Sequence, residues 1–152
     1  MNPARRFAVY GLLGWCIEIA FTAMRRVVAG AGDRRLQGES YLWMHPIYGA
    51  GGLAMEAVHR GTRRRPWWTR AIAYAATCLA IEYVSGWLLR RATGECPWDY
   101  GDRGINVDGL ARLDYAPYWA AAGLAAEPIA SALRRARLEP DANSPRPAAH
   151  IS

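Results

Sequence analysis

Residues 7–24 read FAVYGLLGWCIEIAFTAM, eighteen positions with one charge, Glu18. A helix lying on the surface of a water-soluble protein keeps a polar outer face, and this stretch has none to offer. Its length is near the lower end of the roughly 17–25 residues that carry a helix across a bilayer. Three further stretches have the same character: 41–58 holds only Glu56, 71–89 only Glu82 and 115–133 only Glu127. Arginines bracket them at Arg5 and Arg6, Arg25 and Arg26, Arg60 to Arg65, Arg90 and Arg91, and Arg134 to Arg137. Tyr41, Trp43, Trp67, Trp68, Trp87, Tyr115, Tyr118 and Trp119 stand at the edges. Guanidinium groups and amphipathic rings suit the headgroup layer. The expected fold is all-α, an integral multi-pass protein with four transmembrane helices.

The rest of the 152 residues fits that frame. Apolar residues make up 52%, too many for a disordered chain, and all 19 basic residues are Arg. The absence of Lys excludes a P-loop ATPase site and Schiff-base chemistry within this sequence. Cys16, Cys78 and Cys96 are too few and too scattered for a disulfide framework or a cysteine zinc site. The net charge of +6 is accounted for by the span flanks, so no nucleic-acid partner is read from it. Neither HExxH nor GxSxG occurs, and no cofactor or metal is implied. With four spans both termini share a side, which carries 10 arginines against 8 opposite. That bias puts the termini in the cytoplasm of a bacterial plasma membrane.

The four spans share a unit: an aromatic, a small residue, a second small residue three further on, and a Glu four beyond that. Its instances start at Tyr10, Tyr48, Tyr74 and Trp119 and end at Glu18, Glu56, Glu82 and Glu127, with Cys78 as the second small residue of the third. Helix periodicity puts the small residues and the acid on one face. Small residues let helices approach closely in lipid, so the packing face also carries the acid. Eight residues after each Glu comes an Arg (Arg26, Arg64, Arg90, Arg135), about 12 Å along the axis and beyond direct pairing within one helix. At a shift of 71, 10 of the 30 positions from Leu36 to Arg65 are identical, Pro46 meeting Pro117 and Glu56 meeting Glu127. The first and third spans match more sparsely at a shift of 64. The expected organisation is one transmembrane domain, 1–137, of two tandem helical hairpins, 7–65 and 71–137. They are parallel repeats about an axis along the membrane normal. Residues 138–152, with Pro140, Pro145 and Pro147, read as a disordered tail.

An ionisable side chain at membrane depth costs about 2.5–3.5 kcal/mol on insertion scales. Four of them, Glu18, Glu56, Glu82 and Glu127, therefore read as a layer forming a polar site for a cation, a proton or a cationic head group. The structural alternative is interhelical hydrogen bonding of these acids to Tyr, Trp or backbone. His45, before Pro46, is a candidate proton relay or carboxylate-site ligand, or a residue satisfying a loop carbonyl. The loop after the third span, seven residues longer than its counterpart, carries Trp98, Asp99, Tyr100 and Asn106. It reads either as a folded lid contacting substrate or as an interfacial anchor.

Tyr10 to Glu18, Pro46 to Gly49, Leu79 to Tyr83, Cys96-Pro97-Trp98-Asp99-Tyr100 and Leu113 to Pro117 resemble the transmembrane protein 229 family. They also resemble the broader bacterial group of CmpB-like type IV ABC-transporter proteins. The resemblance covers roughly residues 8–133 and implies a small multi-pass membrane protein. An ATP-driven role would need a separate ATPase partner. The first functional reading is a permease-like transport component, a homodimer or part of a larger complex in the lipid bilayer, since four helices hardly enclose a path. The alternatives are an intramembrane enzyme acting on a lipid or isoprenoid, with a Glu as acid/base, and a non-catalytic assembly or regulatory protein.

Overall fold

The computed structural model describes residues 2–30 and 35–135. Four α-helices follow in order: α1 (Pro3–Val28), α2 (Met44–Thr62), α3 (Trp67–Thr93) and α4 (Ala116–Arg135). At 1.5 Å per residue α1 and α3 are about 40 Å long and α2 and α4 about 30 Å. Each takes up one of the charge-poor stretches. The two long helices run past theirs because the flanking arginines are good helix formers. The Asn2 side chain caps α1 by accepting from the Arg5 N–H at 2.9 Å, with Pro3 opening the helix. Gly94, at φ 83, ends α3 in the left-handed region and returns its N–H to the Arg90 carbonyl. Pro46 and Pro117 both fall in first turns, where a missing N–H costs nothing. Pro128 lies inside α4, directly after Glu127, and leaves the Leu124 carbonyl without its helical donor.

α1 packs on α2 and α3 on α4 as two antiparallel pairs, and α2 against α3 joins them. The second pair begins at Trp67, four residues before the expected start of its hairpin. Residues 136–137 and the expected tail, 138–152, lie outside the described residues. One departure from an all-α chain falls in the long loop between α3 and α4. β1 (Asn106–Val107) pairs antiparallel with β2 (Ala111–Arg112) in the register Asn106↔Arg112 and Val107↔Ala111. Asp108 and Gly109, at φ 54 and 69, turn the chain between them. A 3₁₀ turn, Leu113–Tyr115, then leads into α4.

Few apolar side chains are buried: Ala23, Ala71, Tyr74, Ala75, Leu89, Leu110 and Ala111. Large ones such as Ile17 (68% exposed) and Ile72 (64%) point outward. α1 and α3 are long and apolar enough to cross a membrane, yet only 11% and 22% of their most apolar windows are buried. A core helix of a soluble protein would hide that surface. Here it forms an outward apolar belt.

Candidate functional site

The shared unit of the spans acts between helices. Tyr10 of α1 lies over Gly52 of α2, and Tyr48 of α2 lies over Gly14 of α1. A Cβ built on either glycine would meet the ring at 2.4 and 2.3 Å. Tyr74 of α3 covers Gly123 of α4 in the same way, at 2.4 Å. Each aromatic then reaches the acid of the span it covers. The Tyr10 hydroxyl donates to Glu56 Oε1, and the Tyr74 hydroxyl donates to Glu127 Oε1 at 2.8 Å. Tyr48 sits beside Glu18, and the Trp119 indole beside Glu82. An aromatic, two small residues and an acid thus make a clasp that is reciprocal in the first hairpin; in the second Tyr74 covers Gly123 and reaches Glu127, and Trp119 stands beside Glu82.

The four acids do not form one layer, because antiparallel pairing puts the acids of each hairpin near opposite ends. Glu56 is held by Arg6, in the second turn of α1, whereas Glu18 lies twelve residues further along that helix, about 18 Å away. Arg70 and Glu82 repeat the same offset in the second hairpin. At the first level each acid meets a guanidinium from the partner helix. Glu56 takes Arg6 at 2.5 Å and Arg60 at 3.4 Å, and Glu127 takes Arg70 at 3.0 Å. His59 of α2 reaches the second cluster: its Nδ1 is 3.0 Å from the Tyr74 hydroxyl and 3.6 Å from Glu127. Since the Tyr74 proton is directed at Glu127, Nδ1–H is the donor to the Tyr74 oxygen.

The second level is lined by hydroxyl and indole groups. Glu18 accepts from the Ser40 hydroxyl at 2.6 Å, and Tyr48 stands within electrostatic reach of both Glu18 and Glu82. Glu82 Oε1 accepts from the Tyr100 hydroxyl at 2.8 Å. Its Oε2 and the Trp119 indole N–H, both buried, lie close without closing a hydrogen bond. Tyr100 comes from the long loop, which folds back along α3. Tyr83 donates to Asp108 at 2.9 Å, Arg90 to the Asp108 carbonyl at 3.1 Å, and Trp98 and Leu110 rest against Gly86. Arg112 bridges the loop's rings, 4.1 Å from the Tyr115 centroid and 5.9 Å from that of Tyr100, while its fork grips Asp114. That fork holds the Asp114 carboxyl below its ordinary value, and Asp114 in turn raises Arg112. Burial, then the Glu82 charge, pushes the Tyr100 hydroxyl well above the ordinary range, so it stays a donor.

The remaining predicted residues divide clearly. The Trp98 indole N–H donates to the Leu110 carbonyl at 2.9 Å within the folded loop. Asn106 and Asp99 shape the loop from within: Asn106 donates to the Tyr100 carbonyl at 2.8 Å and accepts from Gly109 N–H, and Asp99 accepts from Gly101 N–H. His45 lies on Gly11, edge-on to Phe7 and Trp15. Arg26 and Arg90 secure the folded-back loops, to Glu39 at 2.7 Å and to Asp108. Arg6, Arg70, His59, Ser40 and Arg112 escaped the sequence reading. Arg6 and Arg70 were findable, each four residues before its tyrosine at the same shift of 64. A polar cleft of about 490 Å³ opens at the end of α3, lined by Arg90, Glu95, Cys96, Asp99 and Asp108. Burial there raises the Cys96 thiol. Among the described residues no three His, Cys, Asp or Glu side chains converge to hold a metal ion.

Two membrane-length apolar helices, each clasped to a shorter partner around interhelical acids, are consistent with a helical membrane protein. Residues 6–139 match the family described as "Putative ABC-transporter type IV" (CmpB), and the chain belongs to that family. No solved structure matches it. The family makes the chain an ABC-transporter-type component, compatible with a role in membrane transport and with an ATPase partner.

Proposed function

We propose that the chain is a multi-pass, permease-like transport component in which α1 to α4 all cross the bilayer as two tandem parallel hairpins. Its transmembrane domain is 1–137, its tail 138–152, and both termini are cytoplasmic. The clasp carries this reading. Within each hairpin the same unit appears twice in opposite directions, which relates the two membrane faces by an inverted repeat, an arrangement used by carriers. The acids of the two levels differ in task. Glu56 and Glu127, neutralised by arginines, fix the helix pairs. Glu18 and Glu82, lined by hydroxyls and an indole, are the polar site that meets a cation or proton, with Trp98 and Tyr100 in the lid over Glu82. His45, Asp99 and Asn106 support the surrounding structure. A homodimer completes the path, and a separate ATPase subunit supplies energy.

The test uses the purified full chain in liposomes loaded with a pH-sensitive dye. Under an imposed potential, wild type should pass protons, whereas Glu18→Gln and Glu82→Gln should lose most of that flux while remaining folded by circular dichroism. Wild-type flux in both variants overturns the assignment. Altered lipid composition in a deletion strain, without flux from the pure protein, would favour the enzyme reading instead.

A further inference from the structure

The two ends of the molecule differ in charge balance. Among the residues whose side chains are described each end carries seven arginines, but the end formed by the start of α1 and the α2–α3 turn has two acids, whereas the opposite end has eight. At the acid-rich end Arg26 lies on Glu39, Arg90 on the Asp108 carbonyl and Arg112 on Asp114, with further acids beside the remaining arginines in sequence. At the other end Arg6, Arg60 and Arg70 satisfy Glu56 and Glu127, which leaves none of the described acids for the rest. Arg63, Arg64 and Arg65 are consecutive and exposed in the α2–α3 turn, with exposed Arg5 at the same end. Trp67 and Trp68 follow at once, as the first residues of α3, and are 66% and 54% exposed.

We propose that this turn is a binding site for the phosphate of an anionic phospholipid, Arg63 to Arg65 gripping the headgroup and Trp67 and Trp68 seated at headgroup depth. Charge complementarity calls for an anion, because three planar forks matched to phosphate geometry are exposed with no partner among the described residues. The tryptophans select a lipid over a soluble anion or an acidic protein. They stand where an apolar belt meets the arginines, the depth at which indole rings partition in a bilayer. The inference rests on the proposal that α3 crosses the membrane.

The experiment is a titration of the full chain in detergent with phosphatidylglycerol and with phosphatidylcholine of the same acyl chains, bound lipid being counted by native mass spectrometry. Wild type should bind phosphatidylglycerol at least about tenfold more tightly. The variant Arg63→Gln/Arg64→Gln/Arg65→Gln should bring that preference below about threefold, whereas Arg25→Gln/Arg91→Gln, exposed arginines at the other end, should keep it. Equal affinity of wild type for the two lipids overturns the inference and gives the surface to an acidic protein. An unchanged preference in the triple variant overturns it as well. Competition by glycerol phosphate at the lipid's own concentration overturns it in favour of a free phosphate ester. Failure of both lipids to bind defeats the membrane-spanning reading itself, a result separable from loss of the headgroup preference alone.

Discussion

The two hairpins are alike at one end and different at the other. At the arginine-held end the trio Arg6, Tyr10 and Glu56 recurs as Arg70, Tyr74 and Glu127. At the opposite end Glu18 is covered by a short segment that contributes one hydroxyl, Ser40, whereas Glu82 lies beneath a folded loop that contributes Tyr100. A helix pair needs only one way to neutralise a carboxylate that serves to hold it together. A carboxylate that forms no guanidinium ion pair among the described residues can be dressed differently in each half, Glu82 also lying within electrostatic reach of Arg112, and there the halves differ.

The largest effect is expected from filling the clasp. Gly52→Leu or Gly123→Leu drives a side chain into Tyr10 or Tyr74 and should cost about 1–3 kcal/mol or more, read as loss of monodisperse protein and a lower thermal midpoint in detergent. If the hairpins are equivalent at this end, the two variants should fall by similar amounts. Removing one hydroxyl comes next. Tyr10→Phe and Tyr74→Phe each give up a hydrogen bond to a carboxylate and should cost about 1.5 kcal/mol. Tyr74→Phe should lose more, because the oxygen it removes also accepts from His59. Tyr100→Phe sharpens the difference between the halves: it should speed hydrogen exchange in residues 98–112 and leave α1 and α2 unchanged.

The smallest effect is the pH dependence of the loop. Arg112 depresses the Asp114 carboxyl, so its contribution to loop stability is fully present above the ordinary Asp value of about 3.9. It is lost only as pH falls through the depressed value. Exchange rates in the loop should therefore rise, beyond intrinsic chemistry, as pH falls below about 3.9. Asp114→Asn should abolish that transition. Persistence of the transition in the variant would remove Asp114 from the account.

The sequence made some of this legible and hid the rest for physical reasons. The helices could be read because charge is missing from four long stretches. The face carrying Gly14 and Glu18 followed from periodicity within one helix. The level of Glu18 relative to Glu56 did not, since it depends on antiparallel register, a property of the pair. The ring's target was hidden for the same reason: Tyr10 serves Gly52 and Glu56, more than forty residues away. The loop's direction was not legible either, because Trp98 and Tyr100 suit a membrane surface and an inward hydrogen bond equally well until Gly86 shows where Trp98 rests and Glu82 where Tyr100 bonds.

The division of the acids into two tasks is tested most directly by measuring proton flux and thermal midpoint together for all four Glu→Gln variants. Glu18→Gln and Glu82→Gln should lose flux with midpoints within a few degrees of wild type. Glu56→Gln and Glu127→Gln should lower the midpoint by removing the partner of Arg6 or Arg70. Four variants that lose flux and stability in the same proportion, or four that match wild type, would contradict it.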